Sequence, residues 1–356
     1  MFNKQTVVVV GAGASQEVKI PTGIELKKQI ATLLDIRFDD FSRRISGDHV
    51  IVGALQQKVR HPDGRPGDIN PYLHAAWIIR DAMPQAISID NFIDAHGGNE
   101  KIEFCGKLAI ARAILQAERK SLLYVDRQRY NDHPNYERLS TTWFNSFMQL
   151  LTENCTISEV EKRLSSIALI VFNYDRCVEQ FLYHSLQTYY QIDDRRASEL
   201  VNRIEIYHPY GVVGPLPWQT TNALGRVDFG AEPSGDLLLS LASQIRTFTE
   251  GMDTNSSEIS MIHQKISQAS ILVFLGFAFH RLNLKLLTPN ASSIPAGKPV
   301  KYEYFGTALG ISDNDCELIR VDLMKMKGSK PSKANLRNDL DCKSLFKEYW
   351  RSLSLS

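Results

Sequence analysis

What this sequence has little of narrows it first. Its 356 residues hold 5 cysteines, Cys105, Cys155, Cys177, Cys316 and Cys342, scattered, odd in number and never paired as CxxC. That spacing argues against a disulfide framework and against a zinc ribbon, so no zinc or other metal is expected. Charge of one sign is also missing: 41 basic residues face 40 acidic ones, a formal net charge of +1. Direct binding to nucleic acid or to an acidic membrane would need a basic surplus. No apolar run reaches the length of a membrane span, and 1–4 with 6–10 are too short for a secretory signal. A cytoplasmic protein without a membrane partner is the expectation. HExxH, G-x-S-x-G and GxxxxGK[ST] are all absent, which removes support for zincin, hydrolase-elbow and P-loop chemistry.

What remains is an ordinary globular composition, 43% hydrophobic and 23% charged, enough for one large domain or two modest ones. The stretch 6–15, TVVVVGAGAS, organises it. Four valines after Thr6 read as a strand buried on both faces, the habit of parallel sheets. The Gly-Ala-Gly-Ala-Ser loop behind them would let a phosphate approach backbone N–H groups. Pro21, Thr22 and Gly23 then open a helical pattern over 24–34. The dehydrogenase fingerprint is incomplete, because Gln16 stands where a third glycine belongs. Asp35, the acidic residue at about the right distance of 20 positions, follows a helix pattern instead of a strand. Hydride transfer loses support accordingly, and a plain tight turn is the alternative role of the glycines.

From 36 to 164 the sequence turns helix-periodic, around 52–59, 72–83, 101–124 and 136–154, with a Pro-, Gly- and Asp-rich loop at 61–71. We read 36–164 as a mostly helical insertion. The sheet resumes at 167–172 (IALIVF), with a helix near 176–187. Then follow 204–207 (IEIY), Ile271–Leu275, 301–305 (KYEYF) and 318–321 (LIRV). With 6–10 these make six strands. The predicted fold class is therefore α/β: a Rossmann-like, doubly wound, mainly parallel six-stranded sheet with a helical insertion domain. Its sheet domain would comprise 1–35 and 165–325. Residues 326–356 read as a C-terminal basic linker and helix, with a basic patch at 325–333 and an amphipathic segment at 335–353. Stretches 251–257 and 288–299 read as surface loops.

In doubly wound sheets the loops at the carboxyl ends of the strands converge, and four such loops here carry unusual residues. They are 11–15 (GAGAS), 172–176 (FNYDR), 208–211 (HPYG) and 276–283 (GFAFHRLN). Asn173 offers an amide that can hold a ribose hydroxyl or a water, or else an Asx turn. Asp175 is the better candidate for capping the next helix. His208 can serve as a base or hold a ribose hydroxyl, or simply bond a backbone carbonyl. In 88–94 (SIDNFID), Ser88 or Asp90 could cap a short helix or belong to the site. His280 and Arg281 could face a phosphate or solvent.

Taken together, GAGAS followed by Ile20-Pro21, FNYD, HPYG and the late GFAF loop resemble the sirtuin-like superfamily, closest to its bacterial anti-phage branch. The SIDNF piece is similar to one found between the first two motifs in that branch. The resemblance implies a Rossmann-like NAD site, with Gly11, Ala12, Gly13 and Ser15 around the pyrophosphate. It places Asn173 and His208 at the nicotinamide ribose as catalytic residues, with Asp175 and Asp90 beside the cofactor and Gly276 toward the adenosine. The four-cysteine zinc module of the deacylases is missing, and IPTG replaces their acidic and arginine residues. Acyl-lysine chemistry is not implied. The resemblance points to an NAD glycohydrolase, an NAD-depleting defence effector, or alternatively to a non-catalytic NAD or ADP-ribose sensor. It also implies a homo-oligomer working with a HerA-type hexameric ATPase, through which alone nucleic acid would enter.

Overall fold

The computed structural model describes residues 4–40, 43–126, 133–219, 226–247, 250, 257–289, 301–327 and 331–354. The expected loop at 251–257 lies almost wholly outside these residues, and so does most of that at 288–299. Among the described residues there are eight strands: β1 (Thr6–Val10), β2 (Arg37–Phe38), β3 (Arg44–Ser46), β4 (Ile167–Val171), β5 (Glu205–Tyr207), β6 (Ile271–Leu275), β7 (Glu303–Thr307) and β8 (Lys333–Arg337). β2 and β3 form a small antiparallel ribbon. The other six form one all-parallel sheet in the order β5-β4-β1-β6-β7-β8. Numbered within that sheet alone, the order is 3-2-1-4-5-6, doubly wound, with its switch point between β1 and β6. The α/β class and the parallel six-stranded sheet are as the sequence predicts.

The valine run explains why β1 sits at the centre. Successive side chains point to opposite faces of a strand. Val7 and Val9 enter one apolar core, while Val8 and Val10 enter the other. On the first face pack helices Gly23–Leu34, His49–Lys58, Asn70–Ala82 and Glu100–Lys120, together with Ser257–Gln268 and Asp313–Met326. On the second pack Trp143–Thr152, Ile157–Leu164, Cys177–Tyr190, Asp194–Val201 and Cys342–Glu348. The helices of 36–164 are thus shared between the two faces. Helix starts follow local chemistry. Thr22 and Glu25 form a capping box before Gly23–Leu34, and Ser88 Oγ accepts from Asn91 N at 3.0 Å before Ile89–Ala95. No helix among the described residues is long and apolar enough to cross a membrane.

One predicted strand is overturned. Residues 318–321 lie inside the helix Asp313–Met326, with Leu318 and Val321 exposed. Ser312 caps that helix, and its buried residues Cys316, Ile319, Leu323 and Met326 recur at helical spacing. The sixth strand is β8, KANLR, inside the stretch read as basic patch and amphipathic segment. It is an edge strand with charged ends, and Lys333 Nζ stands 3.7 Å from Glu303 Oε2 of β7. Other bounds shift by a few residues, and 11–15 is tighter than a loop. Ala12–Ser15 form one helical turn, and a 3-10 turn, Gln16–Val18, follows it.

At the switch point two loops cross backbone to backbone. A Cβ on Gly11 would lie 2.5 Å from Gly276 O, and one on Gly13 would lie 3.0 Å from the same atom. Gly276 has φ +53, and a Cβ there would fall onto Ala14 N. Replacing Gly276 by Ala is expected to destabilise the fold by about 3 kcal/mol or more, left-handed strain and overpacking acting together. Chemical denaturation against the parent protein measures this, and an unchanged midpoint would refute the crossing as a constraint.

Candidate functional site

Register places three loops at one height. Val10 pairs with Val171 on one side and Leu275 on the other, so Gly11, Phe172 and Gly276 all leave the sheet together. Gly11 N donates to Leu275 O at 2.9 Å, Gly13 N to Gly276 O at 3.0 Å and Ala14 N to Gly11 O at 3.0 Å. Gly276 N in turn donates to Thr307 Oγ1 at 2.8 Å. The glycines therefore serve first to let these loops touch.

Asn173 sits at the centre, only 6% exposed. Its Nδ2 donates to Gly11 O at 3.1 Å and to Ser15 Oγ at 2.9 Å. Two acceptors on the nitrogen fix which way the amide faces. Its Oδ1 is buried with no hydrogen-bond partner among the described residues. Buried acceptors are rarely left unpaired, so this atom is notable. Ser15 also bonds the Asp175 side chain. Asp175 Oδ1 accepts from Cys177 N at 3.1 Å, an Asx turn; the N-cap of the helix Cys177–Tyr190 is Arg176, one residue past the position predicted. Burial pushes the Asp175 carboxyl up, outweighing its Cys177 and Ser15 hydrogen bonds, with the Glu118 charge adding to the rise.

His208 reaches this network from β5 with both ring nitrogens engaged. Nδ1 is 3.3 Å from Asn173 O, and Nε2 is 2.7 Å from Glu179 Oε1. Donation from both nitrogens requires the imidazolium form. Burial alone would lower the His208 pKa, but the charge and hydrogen bond of Glu179, helped by Asn173 O, leave it raised. Its ring thus holds the Asn173 backbone. Asp90 stands further out: its carboxylate accepts a short hydrogen bond from Tyr174 OH. Burial, only partly offset by that bond, pushes Asp90 up to about 6. Tyr210 OH donates to Asn283 Oδ1 at 2.6 Å and ties the third loop to the fourth. Arg281 is exposed.

Two clefts open beside these loops. One, of about 720 Å³, is lined by Ala12, Gly13, Gly276, Phe277, Thr307 and the apolar lips Ile24 and Leu309, among others. The second, of about 600 Å³ at the β5 edge, includes Glu179 and His208. The linings share no residue, and Asn173 is in neither. An aromatic group joins these loops, with Phe172 packed against Phe277 at 5.0 Å and Tyr210 at 5.6 Å between ring centroids. Phe279, next to this group, holds a left-handed φ of +52, a strained backbone for a residue with a side chain. The structure therefore brings Gly11, Ala12, Gly13, Ser15, Asn173, Asp175 and Gly276 together. His208 joins them through the Asn173 carbonyl, and Asp90 lies one tyrosine away.

Sequence reasoning missed the residues that hold this arrangement. Arg176, 1% exposed, pairs with Glu118, 0% exposed, at 2.5 Å. Its remaining donors go to Gly214 O, Val227 O and Asp228 O. Glu17 accepts from Trp143 N at 2.6 Å and Lys343 N at 3.0 Å, so one carboxylate caps two helices. None of these gives a local signal: Glu17 lies 126 and 326 residues from the N–H groups it accepts, and Glu118 lies 58 from Arg176. A scan of family models and a search of curated proteins find no match to this chain.

Two outcomes test these geometries. Glu118→Ala leaves a buried arginine unpaired and is expected to cost about 3–5 kcal/mol, read by chemical denaturation. A cost under about 1 kcal/mol would mean that the pair holds nothing. Because the folded pKa of His208 is raised, its stabilisation is present below about pH 6.5 and is lost as pH rises through the folded value. An NMR titration of the His208 ring should show the raised value in the parent and a fall in Glu179→Gln. An equal value in both would refute the pairing.

Proposed function

We propose that this chain binds NAD across the switch point of its sheet and hydrolyses the bond between nicotinamide and ribose. The observation that carries the reading is Asn173, whose amide is clamped through Nδ2 while Oδ1 has no partner. It sits at the carboxyl edge where doubly wound sheets bind dinucleotides. The 720 Å³ cleft falls within the roughly 300–1,000 Å³ of small-molecule sites. Its Ala12–Gly13 floor suits a pyrophosphate, and its apolar lips suit the adenine. The four loop motifs that resemble the sirtuin-like superfamily support the same substrate.

In the reaction the bond from ribose C1′ to the nicotinamide nitrogen breaks, and both electrons pass to that nitrogen. Nicotinamide leaves neutral, so no general acid is needed. Water attacks the resulting ribosyl cation and loses a proton, giving ADP-ribose. Asn173 Oδ1, the negative end of a fixed dipole, orients the ribose hydroxyls or the attacking water as positive charge develops. His208 and Asp175 act at one remove. His208 holds the Asn173 backbone, and Asp175 holds it through Ser15. Substrate reaches Asn173 from the 720 Å³ cleft when the loop carrying Phe277 and the strained Phe279 swings away from Phe172. The same resemblance makes a homo-oligomer and a HerA-type ATPase the partners to supply.

The test is nicotinamide release from NAD by the full chain, alone and with a candidate ATPase. Asn173→Ala is expected to lower release by about 10²-fold or more, measured below the melting transition of the variant, which loses two buried hydrogen bonds. Hydrolysis at the parent rate in that variant would sink the mechanism. NAD binding with no release under any condition would transfer the reading to the sensor class.

A further inference from the structure

The second cleft has chemistry of its own that the proposed reaction does not use. Glu179 is 4% exposed, and its two oxygens are unequal. Oε1 bonds His208, while Oε2 is buried and has no hydrogen-bond partner among the described residues. Gln244, whose backbone comes close to Gly211, lines the same cleft with a buried Nε2 in the same condition. The lining therefore holds one residue with an unsatisfied buried acceptor and one with an unsatisfied buried donor. The charge of Glu179 is already balanced by the His208 ring, and Arg246 at the cleft is paired with Glu258 at 2.8 Å. No ionic charge is left over for a ligand. The rest of the wall mixes apolar Ile204, Val212 and Pro215 with polar Asn202, Gln219 and Ser243, and the 600 Å³ would admit a nucleoside.

We infer that this edge cleft binds a neutral, planar heterocycle with adjacent donor and acceptor groups, the chemical class of nucleobases. A base N–H donates to Glu179 Oε2, and a base carbonyl or ring nitrogen accepts from Gln244 Nε2. The apolar walls cover the faces of the ring. Both buried atoms gain the partner they lack, which gives such a ligand an advantage that an apolar ring cannot have. Occupancy also has a route to the first site. A bond to Oε2 draws on the carboxylate that holds His208, and His208 holds the Asn173 carbonyl.

The inference does not rest on NAD hydrolysis, and its test does not read hydrolysis. Calorimetric titration of the full chain with adenine and with uracil should give saturable binding of at least one. Gln244→Leu keeps the bulk and removes the donor, and is expected to weaken that binding about tenfold or more. Val212→Trp, which fills the cleft, is expected to abolish it; thermal melts check that both variants fold. Binding that both folded variants leave unchanged would place the base in the other cleft and overturn the inference. Absence of binding by either base up to its solubility would overturn it as well.

Discussion

Gly276 O can lie 3.0 Å from Gly13 N only because neither residue carries a Cβ. That crossing joins the loops of β1 and β6, the two strands between which the sheet reverses direction of growth. Everything above the sheet edge is placed relative to it. Gly11 O, freed toward the next loop, becomes an acceptor for Asn173, and Gly276 N is anchored to Thr307 on β7. Four neighbouring strands are thereby linked at one height by short polar contacts rather than by side-chain packing. A larger residue at any of the three positions would push the loops apart and move Asn173 with them.

The second layer of support is electrostatic. Arg176 places all five guanidinium N–H bonds on protein oxygens: two on Glu118 and one each on Gly214, Val227 and Asp228. A buried ion pair of this kind adds little net stability, because desolvation offsets most of the attraction. Its effect is positional. It ties the end of the loop 172–176 to the long helix Glu100–Lys120 and to Gly214, Val227 and Asp228. The Asp175–Cys177 turn and the His208 ring hold the other side of Asn173. The amide at the centre is therefore oriented by Gly11 and Ser15, with its backbone held by His208 and its loop anchored through Asp175 and Arg176.

The aromatic group of Phe172, Tyr210 and Phe277 packs three loops against one another. Its rings belong to three different loops, so movement of any one loop disturbs the packing of the others. The left-handed φ of Phe279 places stored strain in the most suitable of those loops to move. Glu179 and His208 on one side and Ala12, Gly13 and Gly276 on the other thus face different spaces while sharing one network through Asn173.

By itself the sequence determined the centre of the sheet and the identity of the loops that meet there. Central parallel strands are buried on both faces, and only continuous apolar runs such as 6–10, 167–171 and 271–275 satisfy that. An edge strand is under no such demand, so KANLR carried no signal and the exposed apolar residues of 318–321 supplied a false one. Asn173, Ser15 and the glycines were legible because each directly follows a legible strand. The tertiary structure alone decided the partners. Glu118 lies 58 residues from Arg176, Ser15 lies 158 from Asn173, and Glu179 meets His208 from another element across 29. Such pairs depend on which strands become neighbours. Strand order is set by the packing of both cores at once, a collective property that no local pattern of residues contains.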